Sequence, residues 1–150
     1  DDAQLIDDLL RHMERRTVAK GEHIVRVGET GRSMFFLVDG VVEVELPDGR
    51  SFLCNQGAFF GEIAMFLDQP RSASIRAHSA ATILVLTREV CDDVMSAYPE
   101  LQFKFQRLGE ERLRADEAGS DSSNSKLRKW MRKIAVSATE RAINYTFPTE

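Results

Sequence analysis

The sequence has few of the residues that build disulfide frameworks, metal centres or nucleophilic active sites. It contains two cysteines, Cys54 and Cys91, and three scattered histidines, without the spacing of metal ligands. Two distant cysteines predict free thiols in a reducing compartment. No serine or cysteine lies in a nucleophile motif, and a phosphodiesterase-like hydrolase would need a metal cluster that the sequence does not show. We therefore predict a protein that is not an enzyme and that needs no metal or cofactor.

Long apolar runs are also absent. No stretch approaches the roughly 20 apolar residues that cross a bilayer as a helix, and no signal peptide precedes the first predicted helix. We expect a cytoplasmic protein, or the cytoplasmic portion of a membrane protein. The chain begins with Asp1 rather than Met, which is typical of a piece of a longer protein.

Acidic residues outnumber basic ones over most of the chain. The 150 residues have a formal net charge of −4, but residues 119–150 contain six Lys and Arg against three Asp and Glu, so that residues 1–118 have a net charge of −7. An acidic domain argues against nucleic acid as a partner. A site for an anion on this domain must therefore be local.

Hydrophobic periodicity predicts an α+β chain. Apolar residues recur at helical spacing over residues 2–14, after which the period changes to two. Pro47-Asp48-Gly49 lies between two apolar segments and predicts a hairpin, and the regular spacing of short strands favours a sandwich or jelly roll. The predicted strands are residues 17–20, 22–27, 34–39, 41–46, 50–54, 58–60, 72–77 and 81–87.

Two helices are predicted after the strands. Thr87 is expected to cap a helix over residues 88–97, with Val90, Val94 and Met95 turned inward. Pro99 separates this helix from another that begins near Glu100. The later helix carries the apolar residues Leu101, Phe103, Phe105, Leu108 and Leu113.

The end of the chain has a different composition. Polar residues 119–126 predict a flexible linker between a domain at residues 1–118 and a basic amphipathic segment at residues 127–150. We favour packing of this segment on its own parent protein, with an acidic partner groove or an anionic membrane surface as alternatives. Its predicted apolar side consists of Leu127, Trp130, Met131 and Ile134.

Residues 60–77 combine a backbone anion cradle, a carboxylate and a guanidinium. Gly61 allows the backbone to approach a ligand closely, and a short helix near residues 61–66 would direct free N–H groups at an anion. The planar guanidinium of Arg71 matches two phosphate oxygens. The Glu62 carboxylate accepts hydrogen bonds, so its natural partner is a sugar hydroxyl. This set predicts a site for a ribose fused to a cyclic phosphate.

The same residues resemble the phosphate-binding cassette of the cyclic-nucleotide-binding domains. Phe60-Gly61-Glu62-Ile63-Ala64 and Pro70-Arg71-Ser72-Ala73-Ser74 occur in the family's order and at its spacing, and the resemblance extends from about Leu5 to about Glu117. It implies an α+β fold, namely an eight-stranded β jelly roll with an N-terminal helix, a short cassette helix and two C-terminal helices. It also implies that cAMP or cGMP is the ligand.

The resemblance implies a role for each residue of the cassette. Arg71 pairs with the exocyclic oxygens of the cyclic phosphate, and Glu62 takes the ribose 2′-hydroxyl. The hydroxyl of Ser72 bears on the choice between cAMP and cGMP, which stays open because it can equally satisfy a local backbone group. Backbone amides that complete the cradle come from Gly61, Ile63, Ala64 and Ala73.

In similar domains the purine rests on strand residues and touches a later helix. The corresponding strand residues are Val44, Phe52 and Cys54, for which plain core packing is the alternative. The corresponding helix residue is Arg112, for which the alternative is a solvated side chain. If that helix folds down over the base, occupancy of the site is transmitted to whatever the helix joins.

Two further stretches indicate the parent protein. Tyr98-Pro99-Glu100-Leu101 and Gly40-Val41-Val42 look most like the cytoplasmic domains of cyclic-nucleotide-regulated cation and potassium channels. Kinase regulatory subunits, transporters and exchange factors are alternative parents, and a vestigial cassette that acts in protein interaction is a second alternative. Gene regulators of this family should have a helix-turn-helix after the long helix, and the 32 residues from Gly119 are too few and wrongly patterned for one.

Overall fold

The computed structural model describes residues 2–61, 64–65, 69–104, 106–107, 110 and 126–143. We number three helices and eight strands within this part of the chain. The helices are α1 (Asp2–His12), α2 (Arg88–Met95) and α3 (Lys126–Ile143). The strands are β1 (Glu14–Val18), β2 (His23–Val25), β3 (Ser33–Asp39), β4 (Val42–Glu45), β5 (Ser51–Cys54), β6 (Phe59–Phe60), β7 (Ser74–Ala77) and β8 (Ala81–Thr87).

The eight strands form two antiparallel sheets of four strands each. The first sheet has the order β1-β8-β3-β6 and the second has the order β2-β7-β4-β5. This arrangement confirms the predicted eight-stranded jelly roll with helices. Each predicted strand segment contains an observed strand or overlaps one, and the largest difference in position is at β1.

Strand β1 begins at Glu14, three residues before the predicted start at Thr17. Its first four residues are exposed and mostly charged, so that an apolar pattern does not predict a strand there. They adopt strand conformation because they pair with β8 along a sheet edge, from Glu14 opposite Val85 to Val18 opposite Ala81. Helix α1 accordingly ends at His12 rather than at residue 14.

The hairpin predicted at Pro47-Asp48-Gly49 is confirmed. Strands β4 and β5 pair in register, with Val44 opposite Phe52. Gly49 has φ of 91° and its amide donates to the Leu46 carbonyl at 3.0 Å, a turn that requires a residue tolerant of positive φ. The β4–β5 hairpin therefore presents adjacent side chains of both strands on one face.

Alternation along β3 separates two hydrophobic clusters. Met34 and Phe36 belong to the cluster shared with the helices, whereas Phe35 and Leu37 belong to the cluster between the two sheets. Successive side chains of a strand point to opposite faces of its sheet, which explains this division. The helices thus pack on one face of the first sheet, and the inner face of that sheet is turned toward β4, β5 and β7.

Helix α2 begins at the predicted cap. The Thr87 hydroxyl accepts a hydrogen bond from the Val90 amide at 3.2 Å, with Thr87 in an extended conformation. The helix ends at Met95 rather than at residue 97. Helical structure resumes over residues 99–104, near the predicted start at Glu100.

Helix α3 contributes to the same hydrophobic cluster as α1 and α2. Met131 and Ile134, two of its predicted apolar residues, are both buried there, as are Ala135 and Ala138. The Arg141 guanidinium also donates to the Asp7 carboxylate of α1 at 2.6 Å. Helix α3 therefore packs on its own chain through this face.

Several predictions about the end of the chain fall on undescribed residues. The side chains of Leu127 and Trp130, the helix positions Phe105, Leu108 and Leu113, and most of the predicted linker lie outside the described residues. The proposed division at residues 118 and 126 stays a prediction. Among the described helices, none has both the length and the apolar character needed to cross a bilayer.

Candidate functional site

A cavity of about 260 Å³ lies on the inner side of the second sheet, beside the cassette. It is lined by residues of β4, β5 and β7 and by the segments on either side of the cassette helix. All the predicted site residues that the structure describes contribute to this lining, namely Val44, Phe52, Cys54, Gly61, Ala64, Arg71, Ser72 and Ala73. Three predicted site residues, Glu62, Ile63 and Arg112, lie outside the described residues.

Arg71 is the one charged residue of this lining among the residues that the structure describes, and it is buried, with 8% of its surface exposed. Its Nη1 donates to the Ser33 carbonyl at 2.8 Å and to the Gly61 carbonyl at 3.4 Å. Its guanidinium lies 5.4 Å from the ring centroid of Phe35, within the range of a cation–π contact. These contacts satisfy donor groups, but carbonyl oxygens and a ring do not neutralise the charge.

Burial changes the electrostatics of Arg71. Desolvation lowers the pKa of the guanidinium from its ordinary value, and the nearby Glu29 carboxylate raises it in part. Within the described part of the chain, no carboxylate lies within ion-pair distance of Arg71. Among the described residues, Arg71 thus has no ion-pair partner, and its positive charge at the cavity favours binding of an anion.

Two glycines make room for this guanidinium. A Cβ atom added to Gly61 would lie 2.8 Å from Nη1, and one added to Gly31 would lie 2.8 Å from Nη2. Gly61 also has φ of 90°, a conformation that other residues adopt at a cost. The Arg71 backbone is fixed as well, because its amide donates to the Glu29 carbonyl and its carbonyl accepts from the Gly28 amide, both at 2.8 Å.

The roles of Gly31, Ser33 and Phe35 were not predicted from the sequence. All three precede Arg71 by more than 30 positions, and they reach it only because the sheet brings β3 beside the cassette. Phe35 also stacks on Phe60 of β6, with ring centroids 5.6 Å apart. Gly28 and Gly31 before β3 are the sequence feature that could have indicated close packing there.

The cassette is helical at Ala64 and Met65. The Met65 amide donates to the Gly61 carbonyl at 3.1 Å, so that Gly61 begins a helical turn. The Gly61 carbonyl is thus shared between Met65 and the guanidinium of Arg71. This part of the prediction of a short helix near residues 61–66 agrees with the described residues.

The apolar wall of the cavity comes from the β4–β5 hairpin. Val44 is buried, Phe52 is half-exposed and Cys54 is partly buried. Phe52 and Cys54 are two positions apart on β5, so both point toward the cavity. A half-exposed phenylalanine at the mouth of a cavity offers a flat apolar surface to a planar ligand. Whether these residues contact a purine stays a prediction.

The remaining polar groups near the cavity are few. Ser72 is exposed at its edge. Cys54 and Cys91 form no disulfide and differ in environment. Cys91 is buried in the helical cluster, and its pKa is raised to about 12, chiefly by desolvation. Among the described residues, no group of three or more His, Cys, Asp and Glu side chains is placed to hold a metal ion.

Sequence comparisons give matches to ion channels. A cyclic nucleotide-gated potassium channel of Mesorhizobium japonicum is 36% identical over 105 residues, which are 70% of this chain and 29% of the channel. Potassium/sodium hyperpolarization-activated cyclic nucleotide-gated channel 2 of Homo sapiens is 27% identical over 122 residues, which are 81% of this chain and 14% of that channel. The chain therefore spans less than a third of the length of these relatives.

Structural comparison gives matches to bacterial regulators. The Thermus thermophilus catabolite activator protein superposes with a TM-score of 0.60 and 26% identity, over 77% of this chain and 57% of that one. The N-terminal domain of a transcriptional regulator from Streptomyces coelicolor A3(2) superposes with a TM-score of 0.64 and 23% identity, over 79% of this chain and 88% of that one, and supports the fold alone.

The family profile described as cyclic nucleotide-binding domain matches residues 15–98, more than half of the 150-residue chain. The matched range runs from β1 to the residues just after α2 and contains the cavity, the cassette and Arg71. The chain belongs to the cyclic nucleotide-binding domain family.

Proposed function

We propose that this chain is a regulatory module that binds cAMP or cGMP in the cavity beside Arg71. The observation that carries the proposal is the buried guanidinium of Arg71, which faces the cavity without a neutralising carboxylate among the described residues. A cyclic phosphate supplies the missing negative charge. Its two exocyclic oxygens match the planar fork of an arginine.

The shape of the cavity supports the same ligand class. Its volume of about 260 Å³ is slightly below the roughly 300–1,000 Å³ typical of small-molecule sites, as suits a small ligand. Arg71 lies at the cassette and Phe52 on the hairpin, so a ligand between them needs an anionic end and a flat apolar end. A cyclic nucleotide has both.

The sugar is assigned to Glu62 on the basis of the family resemblance. Glu62 follows Gly61, which lines the cavity, and a carboxylate at this position accepts a hydrogen bond from the ribose 2′-hydroxyl. Backbone amides of Ile63 and Ala64 complete the phosphate cradle in this proposal. Ser72, exposed at the edge of the cavity, is the residue through which we propose that the chain distinguishes cGMP from cAMP.

Occupancy is proposed to act through the helices that follow the jelly roll. Residues 99–104 continue beyond α2, and Arg112 farther along is proposed to touch the purine. A ligand that contacts this helix more in one position than in another shifts the population toward that position. Given the matched channels, we propose that the parent is a cyclic-nucleotide-regulated ion channel and that this chain is a cytoplasmic portion of it.

Calorimetric titration of the 150-residue chain with cAMP and with cGMP tests the proposal. Loss of Arg71 should cost about 2–5 kcal/mol, equivalent to roughly 30-fold to several thousand-fold in affinity. Arg71→Lys should also bind weakly, because an ammonium cannot hold two phosphate oxygens in parallel. Arg76→Ala is the matched control, since Arg76 is exposed on β7 and pairs with Glu43 at 2.5 Å, away from the cavity lining.

Two results would contradict the proposal. A folded wild-type chain that binds neither nucleotide would favour the vestigial cassette, with the domain acting in protein interaction. Unchanged affinity in Arg71→Ala would place the ligand elsewhere. Binding alone leaves the parent undecided between a channel and the alternatives, namely a kinase regulatory subunit, a transporter or an exchange factor.

A further inference from the structure

Arg88, the first residue of α2, contacts the cassette as well as its own helix. Its Nη1 donates to the Met65 carbonyl at 3.2 Å. Its Nε donates to the two carboxylate oxygens of Asp92 at 3.0 and 3.1 Å. One planar guanidinium therefore links the cassette helix to Asp92, one turn along α2.

Two short hydrogen-bonded routes lead from Arg71 to Arg88. In the first, the Gly61 carbonyl accepts from both Arg71 Nη1, at 3.4 Å, and the Met65 amide, at 3.1 Å, and the Met65 carbonyl then accepts from Arg88. In the second, Arg71 Nη1 donates at 2.8 Å to the carbonyl of Ser33. The adjacent Arg32 carbonyl accepts from the Arg88 amide at 2.7 Å. Both routes end on the same residue of α2.

We propose that Arg88 is a positioning residue that couples occupancy of the Arg71 cavity to α2. This inference rests on the proposed function, since it concerns regulation by the same site. Arg71 Nη1 has two N–H protons, and carbonyls of Ser33 and Gly61 already accept from this nitrogen. An anionic ligand that accepts a hydrogen bond from Nη1 competes first with the longer of these two contacts, which is the one to the Gly61 carbonyl.

Release of the Gly61 carbonyl changes the helical turn that ends at Met65. Because Arg88 holds the Met65 carbonyl with one nitrogen and the Asp92 carboxylate with another, a shift of Met65 is passed to Arg88 and Asp92 of α2. A side chain that only stabilised the fold would affect the liganded and unliganded forms of the domain equally. A coupling residue changes the difference in α2 between these two forms.

Hydrogen exchange of the full chain, with and without saturating cAMP or cGMP, measures this difference. In the wild type, the nucleotide should change exchange in the peptide covering residues 88–97. In Arg88→Ala, calorimetric affinity should stay within about tenfold of wild type. The ligand-induced change at residues 88–97 should fall to less than about half. Arg76→Ala, which removes an arginine of the Glu43 ion pair, should behave as wild type.

Arg88→Lys tests whether coupling needs the hydrogen bonds of Arg88 to Met65 and Asp92 or only its positive charge. A lysine keeps the positive charge near Asp92, but its single ammonium cannot hold the Met65 carbonyl and the Asp92 carboxylate in the same fork geometry. Arg88→Lys should therefore remain folded and bind nucleotide, yet show a reduced change at residues 88–97. This variant keeps the inference testable if Arg88→Ala is too unstable to measure.

The outcomes distinguish the two proposals. A wild-type chain that binds neither nucleotide overturns the proposed function and this inference with it. A chain that binds, but shows no ligand-induced change at residues 88–97, overturns the inference alone. The same holds if Arg88→Ala and Arg88→Lys keep the full ligand-induced change.

Discussion

Substitution of Gly31 by alanine should separate ligand affinity from stability. Gly31 has no positive φ, so alanine is compatible with its backbone. The new Cβ would lie 2.8 Å from Arg71 Nη2, whereas ordinary contacts begin near 3.4 Å, so the guanidinium must move by about 0.6 Å. The atom that moves is the end of a long side chain, and the movement does not require the backbone to shift.

The expected stability change in Gly31→Ala is small. Contact with the guanidinium opposes folding, but alanine restricts the unfolded chain and favours folding by about 0.4–1 kcal/mol. We therefore expect the free energy of unfolding to change by less than about 1 kcal/mol. Affinity should respond more strongly, because a paired phosphate depends on the position of the guanidinium. A loss of about tenfold corresponds to about 1.4 kcal/mol.

Gly61→Ala is the contrasting variant. Its Cβ would lie 2.9 Å from the Ser33 carbonyl oxygen as well as 2.8 Å from Arg71 Nη1, and its φ of 90° is unfavourable for alanine. Backbone atoms cannot yield as a side-chain end can, so this variant should lose about 1–3 kcal/mol of stability in addition to affinity. Urea unfolding and calorimetry with cAMP and cGMP measure the two quantities separately.

Two results would refute this reasoning about Gly31. The first is wild-type affinity in Gly31→Ala for whichever nucleotide the wild type binds, which would mean that the guanidinium position does not matter. The second is an equal loss of stability in Gly31→Ala and Gly61→Ala, which would mean that Gly31 serves the fold rather than the site.

Three further predictions concern other residues. Glu62→Gln should weaken binding of cAMP but hardly change binding of 2′-deoxy-cAMP in calorimetry, and equal losses for both ligands would remove Glu62 from the sugar. Thr139→Val should raise the free energy of unfolding, measured in urea, by about 1 kcal/mol. The reason is that the Thr139 hydroxyl is buried in α3 without a hydrogen-bond partner within the described residues. A decrease would show that the hydroxyl has a partner. In the native chain at pH 8, iodoacetamide should alkylate Cys54 and spare Cys91, whose pKa is raised to about 12, as measured by mass spectrometry of the alkylated chain. Saturating nucleotide should protect Cys54. Labelling of Cys91 would contradict its burial.

Local patterns predicted the parts of the fold that depend on local chemistry. The β4–β5 hairpin followed from Pro47-Asp48-Gly49, and the start of α2 followed from Thr87, because turns and caps are determined by a few adjacent residues. The start of β1 was missed because its exposed, charged residues become strand only through pairing with β8. Strand formation there depends on a distant part of the chain.

The residues of the candidate site also fall into those that local sequence predicts and those that only the fold brings together. Gly61 and Arg71 were predicted because the cassette is contiguous in sequence, and both line the cavity. Gly31 and Ser33 were not predicted, since their contacts with Arg71 exist only in the folded chain, where Arg71 lies beside the segment that leads into β3. Arg88 was also missed, because a single arginine at a helix start has no local pattern that indicates a contact with Met65.

The buried charge of Arg71 has opposite consequences for folding and for binding. Desolvation of the guanidinium lowers its pKa and opposes folding, whereas its hydrogen bonds to two carbonyls act in the opposite direction. The same desolvation strengthens attraction to an anion, since water no longer screens the charge. No carboxylate of the described residues lies within ion-pair distance of Arg71 to offset the cost of desolvation. Arg71 is therefore expected to contribute much to nucleotide affinity and little to the stability of the unliganded domain.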